Sequence, residues 1–270
     1  MNDLPTVTET KLVIVSSDSA QVADEVAALT RLGSYDLAPR PEERLHDTYW
    51  DRPDGRLGAE RIAVRLRRAN RSTLITLKGR SRTAPDGAAV RLEFEEPWSP
   101  AAFETIRKVL TDAGVWPVAA PAKAFQSDPH KSLQMAGFVL AQDRETRRRP
   151  RDLIADGDLH QAHIAELAID TTIFHVGALN ILSREIEVES KGPGGLKAVE
   201  RASRALLYLY ADRLKRSNHS KIALGKAIAT IIDQLRRNNG IGPDSSLSPR
   251  GHQLLDAYLQ ENDQYREMID

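Results

Sequence analysis

Apolar residues recur with two periods along this chain. Up to about residue 190 they fall mostly at every second position, and from Leu196 onward at every third or fourth. The first period belongs to strands with one buried face, the second to amphipathic helices. Residues 8–15 (TETKLVIV) predict a strand, and Val22, Val26, Leu29 and Leu32 predict a helix over 19–32 that Gly33 stops. A polar loop with Pro39 and Pro41 then leads to a turn at Pro53 and Gly55. Three short strands follow at Arg61–Arg68, Thr73–Lys78 and Val90–Glu95, joined by hairpin-like linkers. The spacing predicts a helix over 100–114, a loop over Pro117–Pro129, and strands near 137–149, 163–170 and 183–190. Beyond Gly195, one helix carries Leu196, Val199, Leu206, Leu207, Tyr210 and Leu214. A second carries Ile228, Ile231, Ile232 and Leu235, and a third Leu254, Leu255, Tyr258 and Leu259. A strand-rich body with helices inserted early and added late is an α+β architecture.

The residues between the apolar ones are charged, and sorted by strand. Arg61, Arg65 and Arg67 share one face opposite Ile62, Val64 and Leu66. Arg91, Glu93 and Glu95 oppose Val90, Leu92 and Phe94, and Glu185, Glu187 and Glu189 oppose Ile186 and Val188. Glu9 and Lys11 share a face, as do Glu166 and Asp170. A solvated sheet face is the plain explanation, but such a face normally mixes both signs, and rows of like charge repel. Basic and acidic strands lining the inside of a barrel would let Arg and Lys hold an anion while carboxylates hold hard metal ions against it. That is a polyphosphate site in outline.

Composition narrows the choice. The 270 residues carry 38 Lys+Arg and 38 Asp+Glu, with 41% hydrophobic and no cysteine. Net neutrality argues against a nucleic-acid coat, and the lack of cysteine excludes disulfides, thiolate zinc sites and a catalytic thiol. No run approaches the ~18 apolar residues of a membrane span. The expectation is a cytoplasmic protein with no membrane or nucleic-acid partner, a homodimer being left open. The RRRPR run at 147–151 lacks interleaved aromatics and reads as a hairpin end with Arg144 pointing inward. His160 and His163 read as surface residues, and Gly192–Gly195 as a strand-to-helix turn, since no Lys-Ser/Thr follows.

The charged strands resemble the CYTH superfamily, the triphosphate tunnel metalloenzymes. Val7-Thr8-Glu9-Thr10-Lys11 resembles its opening E-x-E-x-K, with Val7 in place of the first Glu. Thr48–Pro53 with Leu57 looks like its Y-Y/F-D-T-P…L stretch. Ala63–Arg68, Thr76–Gly79 and Arg91–Glu95 look like its A-L-R-L-R-R, T-L-K-G and R-x-E-x-E segments. Arg144–Arg149, Ala155–Gly157 and Glu166–Asp170 are similar to its central hairpin, Glu185–Glu189 to its E-x-E-x-E, and Ser220-Lys221 to its late S-K. Coverage runs from about residue 7 to 225 in the family's order.

The resemblance implies an eight-stranded antiparallel β-barrel tunnel with flanking helices over 1–225, followed by a C-terminal helical extension over 226–270. It implies metal-dependent hydrolysis of inorganic triphosphate to phosphate and diphosphate, with Mg²⁺ or Mn²⁺ as cofactor. The small-molecule partner would be a triphosphate or a nucleoside triphosphate. Substrate would be held by Lys11, Arg65, Arg67, Lys78, Arg91, Arg144 and Lys221, with Lys11, Arg65, Arg67, Lys78 and Glu93 serving catalysis. Metal would fall to Glu9, Asp170, Glu185, Glu187 and Glu189, with Glu166 beside them. Glu93 and Glu95 would orient the basic side chains. The same family contains thiamine triphosphatases and class IV adenylate cyclases, which make cyclic AMP from ATP. The missing acid at Val7 adds a third alternative, a protein that binds polyphosphate or nucleotide without turnover.

Overall fold

The computed structural model describes residues 9–69, 72–83, 89–117, 124–155, 163–192 and 194–262, without the side chains of 80–83 and 89–93. Val7, Asp156-Gly157, His160 and the side chains of Arg91 and Glu93 therefore lie outside what is described. The elements run β1 (Glu9–Ile14), α1 (Ser19–Ala28), β2 (Arg31–Leu32), β3 (Tyr35–Pro39), β4 (Glu43–Asp51) and α2 (Arg56–Ala59). There follow β5 (Ala63–Ala69), β6 (Ser72–Thr83), β7 (Ala89–Pro97), α3 (Pro100–Asp112) and α4 (Pro129–Met135). The rest are β8 (Val139–Ala155), β9 (His163–Val176), β10 (Leu179–Ser190), α5 (Gly195–Tyr210), β11 (Leu214–Ser217), α6 (Lys221–Arg237) and α7 (Pro249–Glu261). This is an α+β fold in which the strands named here pair antiparallel. Among the described residues there are eleven strands, not the eight that the resemblance implied. No helix among them is long and apolar enough to cross a membrane.

The chain forms two compact units, and it passes from one to the other within β4 and within β8. In residues 45–144, β4, β5, β6 and β7 pair in that order. Their apolar side, with Trp50, Val64, Leu66, Ile75 and Leu77, is buried with Phe103, Ile106 and Leu110 of α3 and Leu133 of α4. Ser99 caps α3 by accepting from the amide of Ala102 at 3.1 Å, with Pro100 at the first helical position. Each fully buried Leu or Ile here stabilises the unit by about 1.5–3 kcal/mol relative to leaving it in water.

In residues 9–44 and 145–262, β11, β1, β10, β9 and β8 follow one another, with β3 on the outer part of β8. Leu12, Leu167, Ile169, Ile186 and Val188 share one side of that sheet and pack with Val22 and Val26 of α1 and Ala198, Ala202 and Leu206 of α5. Gly195 opens α5 where a Cβ would run into the Ile164 carbonyl and the Ser190 side chain. Close packing accounts for Gly195, and a left-handed backbone at φ +84° for Gly194.

Several expected boundaries shift for identifiable reasons. α1 ends at Ala28 because Leu29 is extended, and Leu32 pairs with Tyr35 in a β2–β3 hairpin, with Gly33 at φ +60° as a turn residue. The helix of Leu196 stops at Tyr210, since Ala211 takes φ +35°, and Leu214 starts β11 against β1 instead. Arg61 sits at φ +56°, before β5 begins, so it does not share the face of Arg65 and Arg67. A helix that was not expected, α4, starts at Pro129 and is capped by Asp128.

Candidate functional site

In the second unit, cross-strand register stacks the charges of β1, β10 and β9 in rungs. Glu185 stands between Val13 and Asp170, Glu187 between Lys11 and Ala168, and Glu189 between Glu9 and Glu166. Asp170, Glu185 and Glu187 are all buried, and one carboxylate oxygen from each lies within 4.8 Å of the others. Lys221, the first residue of α6, is buried among them. Its Nζ is 2.6 Å from Glu187 and 3.1 Å from Asp170, and it contacts Glu185. A cation at a helix N-terminus opposes the helix dipole, so these carboxylates offset that cost as well as the cost of burial. Arg148 donates Nε and Nη2 to the two oxygens of Asp170 at 2.9 and 2.7 Å, and Nη2 also to Glu187 at 2.5 Å. Lys11 lies 3.6 Å from Glu9 and 3.8 Å from Glu187.

These contacts split the two neighbouring glutamates. Burial pushes the Glu185 carboxyl up to about 7, against the pull of Lys221. Burial opposes ionisation of Glu187 too, but Lys221, Lys11 and Arg148 together hold it well below the usual carboxylate range. Lys221 is held well above its ordinary value by Glu185, Glu187 and Asp170, despite its own desolvation. The donors are oxygen only, converging and buried, and the cluster already accommodates positive charge at Lys221. That set fits a hard divalent cation better than a soft one.

The first unit carries the opposite arrangement. Asp47 of β4 is buried and accepts from Arg67 Nε and Nη2 at 2.7 and 2.8 Å, a forked pair across the Asp47–Arg67 rung. Arg144 Nη2 donates to Asp47 at 3.1 Å and to the Tyr49 hydroxyl at 2.9 Å, and its guanidinium stacks 4.9 Å from the Tyr49 ring centre. Arg65 Nη1 stands 3.9 Å from Asp47, while Nη2 donates to Thr76 at 3.2 Å and to Glu95 at 2.9 Å. Thr76 also donates to Glu95 at 2.7 Å. Burial alone would raise Asp47, yet Arg67, Arg144 and Arg65 hold it far below the usual range. Lys78 lies on this face through its Ala63 and Glu93 register partners.

A family model described as the CYTH domain matches residues 8–217, well over half of the chain. The chain belongs to the CYTH family. Among solved structures it is similar to HpAC1 from Hippeastrum, for which a dominant triphosphatase activity is described, at 18% identity and TM-score 0.49 over 82% of this chain and 95% of that one. It is similar at 15% identity and TM-score 0.41 to a protein from Bacillus halodurans named as a candidate adenylate cyclase, over 77% of this chain and 90% of that one. Pct1 RNA triphosphatase of S. pombe, solved with the Spt5 CTD, matches at 11% identity and TM-score 0.34 over 87% and 84%. No curated protein matches the chain at a significant level.

Within this CYTH chain, the expected residues fall into two sets. Asp170, Glu185, Glu187, Lys11 and Lys221 come together in the second unit, and Arg65, Arg67 and Arg144 in the first. Glu9 and Glu189 face each other one rung away from Glu187, and Glu189 pairs with Lys191 at 2.8 Å. Glu166 is paired with Arg40, and Glu95 orients Arg65. Sequence reasoning missed Asp47 and Arg148. Asp47 is two residues from Tyr49 on β4, a strand that was not among those expected from the sequence. Arg148 lies in a run of arginines in which Arg147 points away and pairs with Glu42. Its parity with Arg144 was the available signal.

Proposed function

We propose that this CYTH chain is a metal-dependent triphosphatase acting on inorganic triphosphate, with Mg²⁺ or Mn²⁺ as its ion. The observation that carries the reading is the buried, converging oxygen set of Asp170, Glu185 and Glu187. An all-carboxylate set suits a hard ion that retains water and shares phosphate oxygens. When bound, the ion would neutralise phosphate charge and polarise the phosphoryl group. Arg148 and Lys11 hold the carboxylates in place, and Lys221 would offer its ammonium to a phosphate beside them. Within residues 45–144, Arg65, Arg67 and Arg144 would offer fixed cations to phosphate, and Lys78 a further point charge. Positioning and charge stabilisation are most of what phosphoryl transfer requires.

A single assay tests this. The protein is incubated with inorganic triphosphate, ATP and thiamine triphosphate, with and without divalent ion, and the products are identified. Phosphate plus diphosphate from triphosphate, dependent on the ion, is the expected result. Cyclic AMP from ATP would replace the reading with a cyclase, and tight binding without turnover would replace it with a binding protein, as the valine at position 7 allows.

A further inference from the structure

The basic set of residues 45–144 is organised round one buried acid. Asp47 is 1% exposed, engages Arg67 through two bonds and Arg144 through one, and lies beside Arg65. A carboxylate at that place repels a polyanionic substrate, so substrate binding alone gives no reason for it. Three guanidinium groups converging on one place, two of them buried, repel one another, and a counter-charge between them holds one geometry. Because the guanidinium is a rigid planar fork, fixing one edge of Arg67 fixes where its other edge points.

The geometry points to Asp47 as a positioning residue for polyphosphate: it touches no substrate, and it sets the spacing and direction of Arg65, Arg67 and Arg144. This rests on the triphosphatase reading above. Two accounts of Asp47 differ in sign. If it acts only as a charge opposed to the substrate, neutralising it tightens polyphosphate binding. If it positions the arginines, neutralising it weakens binding despite the gain in positive charge.

The test is calorimetric titration of inorganic tripolyphosphate into chelator-treated protein, wild type against Asp47→Asn, with steady-state kinetics alongside. Asp47→Asn keeps the volume and removes the charge. The expected result is affinity lower by about ten- to hundredfold, the loss of a charged, well-aligned contact. KM should rise by more than kcat falls, because the groups affected bind rather than react. A merely structural role would lower kcat through the folded fraction and leave KM in place. Where Asp47→Asn fails to fold, Tyr49→Phe carries the test, since it removes only a hydroxyl that orients Arg144, and a severalfold loss of affinity is expected. Equal or tighter binding by the folded variant overturns the inference while leaving the triphosphatase reading intact. A wild-type chain that neither binds tripolyphosphate nor releases phosphate from it with Mn²⁺ removes that reading, and the inference with it.

Discussion

Replacing Lys221 by methionine removes the cation at the centre of the acid cluster and leaves a side chain of similar length. Three buried carboxylates then lose a partner lying 2.6 Å from Glu187, 3.1 Å from Asp170 and in contact with Glu185. Removing one partner of a buried ion pair costs about 3–5 kcal/mol. Glu185 limits the loss, since burial has already pushed its carboxyl up to about 7 and it takes up a proton readily. The deficit therefore grows as pH rises through that value. For a chain of this size each kcal/mol moves Tm by about 2–4 °C, so a fall of roughly 6–20 °C is expected in metal-free buffer. A divalent ion can then replace the ammonium. At a hundredfold excess over its Kd it returns about 2.7 kcal/mol. The assay is thermal unfolding of parent and Lys221→Met, each with chelator and with Mn²⁺. The variant should fall in chelator and gain more from Mn²⁺ than the parent does. Equal Tm values in chelator, or no larger gain with Mn²⁺, would refute the reasoning.

Other outcomes follow from single groups. His252 is buried in α7 and burial pushes it down to about 4, against a weaker pull from Asp256, so the unfolded chain binds the proton more readily. Stability is then full above about 6.5 and is lost as pH falls toward 4, by up to about 3 kcal/mol; His252→Gln should flatten a plot of stability against pH over that window, and an unchanged slope would contradict it. Val7→Glu restores a carboxylate two residues before Glu9, and it should raise turnover if the missing acid limits the ion; unchanged kinetics would mean that the remaining acids suffice. Lys78→Ala should abolish turnover without changing the circular-dichroism spectrum, and wild-type turnover would remove Lys78 from the site.

Alternation made much of the second unit legible. Ile186 and Val188 are fully buried, and the glutamates that alternate with them form the charged rungs, so strand parity alone set Glu185 and Glu187 on the face opposite that core. The boundaries that moved are those where two periods coincide. Leu206, Tyr210 and Leu214 keep a spacing of four and are all buried, yet the left-handed turn at Ala211 puts Leu214 on a strand. Nothing in a hydrophobic period marks that turn. The missed residues share a different cause. Asp47 and Arg148 act through partners distant in sequence, 97 positions from Asp47 to Arg144 and 39 from Arg148 to Glu187, and only register brings them together. The two clusters also share a logic that residue spacing does not carry. Each like-charged set is held by buried opposite charge, Asp47 among the arginines and Lys221, with Lys11 and Arg148 beside it, among the carboxylates.

The central claim is that the carboxylates of β9 and β10 hold the ion on which triphosphate hydrolysis depends. Phosphate release from inorganic triphosphate, measured for wild type and Glu187→Gln across a Mn²⁺ titration, tests it most directly. The account predicts ion-dependent release of phosphate and diphosphate by wild type, and none by Glu187→Gln at any Mn²⁺ concentration while its fold is retained. Release by wild type in chelator, or wild-type turnover by Glu187→Gln, would contradict it.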